Sequence, residues 1–321
     1  MNELVSVIVT SYNHAEYLNQ RIDSLLNQTY KPIEIIVIDD CSTDGSLEVL
    51  KQYKDYQQMN LIALERNGGY ANACNLGISL CRGDYIMFAE CDDFNDPDHI
   101  KTLMTVLGQR NDVGVVYCRS HIVDNLGQIM GDDFQCREDS FKELCRQDAF
   151  ISKERMLRFL LTSCVIPNMS AALIRKDSVR SAGGLSTQYK VCADWDFWCR
   201  MAEHCHFYYV ATPLNYFRTH ATTARNLFGI GVQVPEYYKL LYNALPKAKL
   251  SRRENLSFRI HCGRLWANFI TINPGEWLAC FSSVKREIRQ YEKYSVLFLF
   301  AGMLMKGSLI ALKLMKGEYK S

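Results

Sequence analysis

Two apolar segments of this chain run directly into pairs of aspartates, and this pattern constrains the fold more than any other feature. The segments are residues 33–40, IEIIVIDD, and residues 85–93, YIMFAECDD. Short apolar runs of this kind are typical of buried strands in a parallel sheet, and in open α/β sheets the ligand lies at the carboxyl ends of the strands. Because a buried carboxylate needs water, a cation or a polar partner, the acid pairs predict one site for a hard cation and a polar ligand.

The first 120 residues alternate between strand and helix patterns. Strands are predicted at residues 5–9, 33–38, 61–64, 85–89 and 113–117. The segments between them have helical periodicity, and Asp96-Pro97 supplies an N-cap and a first-turn proline for one helix. Strands joined by helices form right-handed βαβ units. The chain is therefore predicted to be an α/β protein with a mostly parallel sheet flanked by helices.

The strand and helix alternation is lost after residue 120. Residues 131–150 are polar and are interpreted as loop, whereas residues 194–204 have a helical pattern. Short strands are predicted at residues 207–210 and 215–217. From about residue 230 the pattern is helical and basic, which predicts a C-terminal helical extension.

Composition excludes several classes of protein. The 321 residues are 48% hydrophobic and 22% charged, which indicates a folded chain. The net charge of +2 is too near zero to argue for nucleic acid as a partner, and none is expected. The 13 cysteines form no CxxC pair, as expected for reduced thiols of a cytosolic protein. The N-terminus lacks a basic signal region, and the longest apolar run, residues 296–305, is about half of a membrane span. A cytoplasmic location is expected.

The turn after the first strand carries no phosphate-binding motif of the common kinds. No G-x-G-x-x-G and no P-loop lysine follows it, which argues against a dinucleotide dehydrogenase or a P-loop NTPase. The turn instead reads TSYN over residues 10–13 and offers hydroxyls and the aromatic ring of Tyr12. A helix N-cap with a packed tyrosine is the alternative interpretation.

Seven segments in order resemble the family-2 glycosyltransferases of the GT-A fold. They are VSVIVTSYN (5–13), SLLNQTY (24–30), EIIVIDDCSTDG (34–45), RNGG (66–69) with NLG (75–77), RGDY (82–85), ECDD (90–93) and DWDFWCR (194–200). Each is weak alone, but together they cover roughly residues 5–220. The resemblance implies a GT-A, Rossmann-like fold and transfer of a sugar from a nucleotide-sugar donor to a hydroxyl acceptor, with inversion at the anomeric carbon.

The resemblance also implies roles in donor binding. Asp40 would accept a hydrogen bond from the imide N–H of uracil, and Tyr12 would lie on the base beside Thr10. Arg66 would bind the diphosphate or the base, since a guanidinium matches phosphate geometry. Asp92 would contact the ribose and the metal. A UDP-sugar is favoured, with guanosine or thymidine nucleotides as alternatives.

A divalent ion, Mn²⁺ or Mg²⁺, is implied at Asp92, Asp93 and His220, where it would neutralise charge on the departing nucleotide. The usual first aspartate of this motif is Glu90 here. Which of the three acids binds the metal therefore stays open. Arg218, near His220, is an alternative contact for the diphosphate.

The catalytic base implied by the resemblance is Asp194, which would take the proton of the acceptor hydroxyl. Its alternative is a simple N-cap carboxylate. Asp196 is the rival base, but two positions along a helix it points elsewhere. Trp195 and Trp198 would stack on an acceptor sugar or belong to the core, and the core is favoured for Trp198.

The predicted organisation is a catalytic domain at residues 1–228 and a helical segment at 229–321. Within the first, residues 1–120 form the nucleotide-sugar half and 121–228 the acceptor half. Residues 285–316 combine basic and apolar side chains, which is typical of a helix at a membrane surface. Packing on the catalytic domain or against a second subunit, in a homodimer, is the alternative.

The function expected from this resemblance is assembly of a surface polysaccharide, such as O-antigen or exopolysaccharide, at the inner face of a bacterial membrane. The enzyme would add a hexose or N-acetylhexosamine to a glycan or undecaprenyl-diphosphate-linked acceptor. One alternative is a nucleotidyltransferase, which would carry a Gly-rich basic loop after the first strand. Another is a non-catalytic nucleotide-sugar-binding scaffold, against which the joint presence of Asp40, Asp92, Asp93 and Asp194 argues.

Overall fold

The computed structural model describes residues 3–166, 168–220, 228–272 and 277–291, with residues 297, 299, 300 and 304. The chain divides into two compact units. The first contains residues 1–160, 164–188 and 193–223, and the second contains residues 161–163, 189–192 and 224–321. Most of the basic segment predicted at residues 285–316 lies outside the described residues. None of the described helices is long and apolar enough to cross a membrane.

The described part of the first unit is built on a ten-stranded mixed sheet. Its strands are β1 (Val5–Ser11), β2 (Ile33–Asp39), β3 (Met59–Ala63), β4 (Tyr85–Glu90), β5 (Phe94–Asn95), β6 (Val113–Val123), β7 (Ile129–Asp132), β8 (Ala149–Ile151), β9 (Ala172–Arg175) and β10 (His206–Arg218). The order is β3-β2-β1-β4-β9-β6-β10-β5, with β7 beside β6 and β8 beside β10. Strands β3, β2, β1 and β4 are parallel, as predicted.

Helices connect these strands. They are α1 (Ala15–Leu26), α2 (Ser46–Lys51), α3 (Tyr70–Leu80), α4 (His99–Gln109), α5 (Asp139–Leu144), α6 (Lys153–Leu160), α7 (Lys176–Ala182) and α8 (Ala193–His204). The alternating apolar side chains of β1, Val5, Val7 and Val9, share one buried core with apolar residues of α1 and α4. The predicted α/β class with helices flanking the sheet is confirmed.

The structure corrects three details of the sequence prediction and adds a fourth that the sequence did not indicate. Helix α4 begins at His99 rather than after Asp96, whose side chain instead accepts from the Asp98 N–H in a tight turn. The supposed loop at 131–150 contains β7, α5 and β8, which are too short to give a periodic signal. The two short strands after residue 206 are one strand, β10, broken by register shifts. Strand β9 inserts antiparallel between β4 and β6, a pairing that local sequence does not encode.

Two motif segments serve the fold rather than the ligand. The Glu34 carboxylate accepts hydrogen bonds from Ser6 Oγ at 2.6 Å and from the Arg82 N–H at 2.7 Å, which joins the amino ends of β1, β2 and β4. Burial raises the pKa of Glu34, but these hydrogen bonds outweigh it and the pKa is lowered. In the Asn75-Leu76-Gly77 motif, a Cβ at Gly77 would lie 2.3 Å from Ile8 Cγ2, so glycine lets α3 approach β1 closely.

Because His99 is buried, we expect the free energy of unfolding to decrease at acidic pH. Burial, together with the nearby charge of Arg21, lowers the pKa of His99 to about 3. The unfolded chain, in which a histidine titrates near 6.5, therefore binds more protons than the folded chain as the pH falls below that value. Moving from pH 7 to pH 5 should cost about 2 kcal/mol of unfolding free energy through this residue. Urea denaturation of wild type and His99→Gln at both pH values measures the difference.

The exposed His204 provides the matched control for this prediction. His204→Gln should keep the full acid sensitivity of the wild type, whereas His99→Gln should lose about 2 kcal/mol of it. Equal pH dependence in the wild type and in His99→Gln would show that His99 is not the group responsible.

The described part of the second unit is helical, with α9 (Ile230–Ala244), α10 (Arg252–Ile272) and α11 (Trp277–Tyr291). The Tyr238 hydroxyl donates to the Cys262 carbonyl at 2.7 Å, joining α9 to α10. Glu236 of α9 accepts hydrogen bonds from three successive backbone N–H groups, those of Lys190, Val191 and Cys192, at 2.8, 2.9 and 3.2 Å. This one carboxylate therefore fixes the backbone of residues 190–192.

Candidate functional site

The predicted site residues of the first strands lie at one edge of the sheet. In the register of β1 with its neighbours, Ser11 is opposite Asp39 and Thr10 is opposite Glu90. The carboxyl ends of β1, β2 and β4 are therefore side by side. This is the edge at which open α/β sheets bind ligands.

Asp40 organises the loop between β3 and α3. It is only 3% exposed, and its two carboxylate oxygens accept from the N–H groups of Gly68 at 2.7 Å and Gly69 at 2.8 Å. The same loop carries Arg66, which is exposed. A carboxylate has about four acceptor positions, so Asp40 retains acceptor capacity for a nucleobase. Tyr12, at the end of β1, exposes 45% of its surface, as a stacking ring requires.

The turn between β1 and α1 is tightly held by the loop after β2. Asn13 has a left-handed backbone with φ of 56°, which is uncommon for a residue other than glycine. Its N–H donates to Ser42 Oγ at 3.0 Å, and its side-chain oxygen accepts from the Thr43 N–H at 2.7 Å. The His14 N–H donates to Ser46 Oγ at 3.2 Å. Asn13 therefore does not cap α1, and the turn fixes the direction in which His14 leaves the backbone.

His14, Asp92 and His220 form a cluster at this edge. One potential ligand atom from each lies within 4.8 Å of the others, and His220 Nε2 is 2.9 Å from Asp92 Oδ2. Burial would raise the pKa of Asp92, but the His220 hydrogen bond and the nearby His14 outweigh it and the pKa is lowered. Nε2 of His14 is buried and has no hydrogen-bond partner among the described residues. Imidazole nitrogens and an ionised carboxylate are the donors that a divalent metal takes, so this cluster fits one.

Asp93 is not a member of this cluster. Its side chain is buried, and Oδ1 accepts from the Arg218 N–H at 3.0 Å. Burial and the neighbouring charge of Asp92 raise the pKa of Asp93 to about 7. Burial and the neighbouring charges of Asp93 and Asp92 also raise the pKa of Glu90 well above its usual value. Of the three acids, Asp92 is the one that the structure brings to histidine nitrogens.

Arg218 is a buried organiser of the site and is not available to a diphosphate. It is 1% exposed, and its guanidinium donates to the backbone carbonyls of Asp92, Asp124 and Asn125 and to the side chain of Gln20. The guanidinium also lies 4.6 Å from the centre of the Tyr17 ring. These contacts join Asp92 to the turn between β6 and β7. Because Arg218 is buried among these partners, the predicted contact of its guanidinium with the diphosphate is wrong.

Asp194 lies in the first turn of α8, where its Oδ1 accepts from the Trp195 N–H at 2.7 Å. Its charge contributes to the raised pKa of Glu90, which indicates that the two carboxylates lie near one another. The rival Asp196 instead pairs with Arg200, Nε to Oδ2 at 2.8 Å. Arg200 also donates to the backbone carbonyl of Gly184, so Asp196 serves the fold.

The two tryptophans of α8 have structural contacts. Trp198 is fully buried, which confirms its assignment to the core. The indole N–H of Trp195 donates to the Leu160 carbonyl at 2.9 Å, which fixes the orientation of its half-buried ring. The stacking role predicted for Trp195 stays a prediction.

The sequence prediction missed His14. A histidine directly after the Tyr12-Asn13 turn was visible, but a lone histidine carries no metal signal. The left-handed backbone of Asn13 brings His14 to Asp92, and the hydrogen bonds that hold this backbone come from the loop after β2, which is distant in the sequence.

Comparison with known proteins identifies the family of this chain. The profile of the family described as Glycosyl transferase family 2 matches residues 6–182, more than half of the chain, and the chain belongs to this family. Glycosyltransferase GlyG of Streptococcus pneumoniae is 34% identical over 167 residues, which cover 50% of this chain and 55% of GlyG. The match thus spans little more than half of that relative. Family membership favours sugar transfer over nucleotidyl transfer.

Solved structures share the fold at low sequence identity. TarS 1–349 of S. aureus, in complex with UDP-GlcNAc, is 17% identical with a TM-score of 0.71, over 99% of this chain and 93% of TarS 1–349. The mannosyltransferase PcManGT of Pyrobaculum calidifontis, in complex with GDP-Man and Mn²⁺, is 16% identical with a TM-score of 0.55. That match covers 96% of this chain and 80% of PcManGT. The predicted GT-A fold is confirmed, whereas the roles of single residues stay predictions.

Proposed function

We propose that this protein transfers a hexose or N-acetylhexosamine from a nucleotide sugar, with a UDP-sugar favoured, to a hydroxyl of a glycan, inverting the anomeric carbon. The observation that carries the proposal is that Asp40, Asp92 and His220 lie at the carboxyl edge of the sheet. Asp194 lies close enough for its charge to raise the pKa of Glu90. The complexes of TarS with UDP-GlcNAc and of PcManGT with GDP-Man and Mn²⁺ support a nucleotide-sugar donor.

The donor end of the site uses the first strands. Tyr12 stacks on the base while Asp40 accepts the imide N–H and holds the loop of Gly68 and Gly69. Arg66, in that loop, binds the diphosphate. Asp92 and His220 would hold a divalent cation, Mn²⁺ or Mg²⁺, and its charge would offset the negative charge of the diphosphate.

The acceptor end uses α8. Asp194 takes the proton of the acceptor hydroxyl while the oxygen of that hydroxyl forms a bond to the anomeric carbon. The bond from that carbon to the diphosphate breaks at the same time, on the opposite face, and the nucleoside diphosphate leaves. Because the attack comes from the face opposite the leaving group, the anomeric configuration is inverted.

The acceptor that we propose is a lipid-linked glycan of a bacterial surface polysaccharide, with the enzyme peripheral at the inner membrane. Support for this finer assignment comes from the family resemblance of the motif segments and from the basic, apolar character of residues 285–316. Such a segment would suit a membrane surface.

Tyr12→Ala tests the donor site directly. Stacking of a base on an aromatic ring contributes about 1–3 kcal/mol, so donor affinity should fall about 5- to 150-fold. Calorimetric titration with UDP-GlcNAc, UDP-glucose, UDP-galactose and GDP-mannose, each with Mn²⁺, measures this loss and identifies the nucleotide. Tyr56→Ala is the matched control, because Tyr56 is 47% exposed and lies before β3, away from the carboxyl edge. Its donor affinity should equal that of wild type; an equal affinity in Tyr12→Ala, or no binding of any nucleotide sugar, would contradict the proposed site.

A further inference from the structure

We infer that His14 is a third protein ligand of the divalent cation and that it makes the site prefer first-row transition ions such as Mn²⁺ over Mg²⁺. The inference rests on the proposed function only in placing a cation beside Asp92 and His220. The contribution of His14 comes from its own geometry in this chain.

The cluster has the dimensions of a single-ion site. Ligand atoms lie about 2.0–2.2 Å from a bound first-row ion, so two ligands on opposite sides are about 4.4 Å apart. The ligand atoms of His14, Asp92 and His220 all lie within 4.8 Å of one another. The rings of His14 and His220 are 5.3 Å apart at 76°, so the two imidazoles meet edge to face. A small side-chain movement would bring all three donors to one ion.

One nitrogen of His14 is oriented by its neighbour and the other is left for a ligand. Nδ1 lies 3.5 Å from Cys91 Sγ, whereas the buried Nε2 has no hydrogen-bond partner among the described residues. Metal-binding histidines commonly use one ring nitrogen for an orienting contact and the other for the ion. A buried polar atom without a partner is energetically unfavourable, and a bound cation would remove this cost.

The backbone that carries His14 is strained and heavily supported, as in a site that positions a side chain. The left-handed conformation of Asn13 is retained by Ser42 and Thr43, and the Ala15 N–H donates to Asp44 Oδ2 at 3.0 Å. Strained residues of this kind persist where surrounding contacts over-determine them, commonly at ligand sites. His14 occupies the N-cap position of α1 but makes no side-chain cap hydrogen bond. Capping of α1 therefore does not account for this arrangement.

The donor set determines which ions are preferred. Mg²⁺ takes oxygen ligands and keeps much of its water, whereas imidazole nitrogen suits first-row transition ions. His220 already supplies one imidazole nitrogen beside the Asp92 carboxylate, which gives Mn²⁺ some advantage over Mg²⁺. A second imidazole replaces a water of Mg²⁺ with a poorer ligand, so His14 shifts the preference toward Mn²⁺. With three protein ligands, the ion should also bind before any nucleotide does.

Titration with Mn²⁺ alone tests this inference, because the EPR signal of the free ion decreases as the ion binds. The wild type should bind Mn²⁺ without nucleotide, and Mg²⁺ should displace it only in large excess. In His14→Asn, which keeps a good N-cap residue, we expect Mn²⁺ affinity to fall at least about tenfold and Mg²⁺ to compete relatively better. The exposed His204 gives the matched control, and His204→Asn should titrate like wild type.

Two results would overturn the inference: unchanged Mn²⁺ affinity and Mn²⁺/Mg²⁺ preference in His14→Asn, or no nucleotide-free binding by the wild type. Thermal unfolding without metal shows whether the variant is folded, and His14→Gln replaces it if it is not. Since no sugar nucleotide is present, a failure of the proposed transfer reaction leaves this titration valid, and a failure here leaves the transfer assay valid.

Discussion

Replacing Asp194 with asparagine should reduce the turnover number about 10²- to 10⁴-fold, the usual contribution of a general base, while donor affinity stays near that of wild type. The amide has the size of the carboxylate but cannot accept the proton of the acceptor hydroxyl. It can still accept the Trp195 N–H bond that Asp194 accepts at 2.7 Å, so α8 should begin as before. Release of nucleoside diphosphate with acceptor present measures turnover, and calorimetry measures donor binding.

Asp196→Asn is the matched control in the same helix turn. Asp196 pairs with Arg200, so this variant should lose stability yet retain turnover per folded molecule. If Asp194→Asn turned over at the wild-type rate, Asp194 would not be the base. A large loss in Asp196→Asn alone would assign the base to the rival residue.

Replacing Asp92 with asparagine should have the second large effect, a loss of metal-dependent donor binding of about 10- to 100-fold. The variant removes the charged oxygen of the cluster, 2.9 Å from His220 Nε2. Donor affinity measured with and without Mn²⁺ should differ in the wild type and hardly differ in the variant. Chelation by EDTA should lower wild-type activity and have little further effect on the variant.

Asp93→Asn distinguishes the neighbouring acids. Its Oδ1 accepts a backbone N–H from Arg218, a bond that an asparagine oxygen can keep, and Asp93 lies outside the histidine cluster. We therefore expect a smaller loss of the Mn²⁺ effect than in Asp92→Asn. A larger loss in Asp93→Asn would make Asp93 the metal ligand instead.

The parallel half of the fold and the position of the site could be predicted because their signals are local. Strands β2 and β4 appear as apolar runs that end in acids, and the spacing of helical segments between them leaves few topologies. The antiparallel insertion of β9 could not be predicted, because pairing with both β4 and β6 depends on contacts far apart in sequence.

The roles of charged residues were harder to predict than the strands. Arg218 has the same sequence signature as an exposed phosphate-binding arginine, and only the fold shows that backbone carbonyls surround it. His14 likewise gains a function only when a left-handed turn, fixed by the loop after β2, brings it to Asp92. In both cases the deciding contacts join segments that are distant in the chain.

The three backbone hydrogen bonds to Glu236 have a consequence for modularity. Residues 189–192 belong to the second unit, and the next residue begins the helix that carries Asp194. A polypeptide ended near residue 228 would release the N–H groups of residues 190–192 together, immediately before that helix. The C-terminal helices are thus not an independent module. An exchange of these helices at a single junction would also remove Glu236, on which the backbone of residues 190–192 depends.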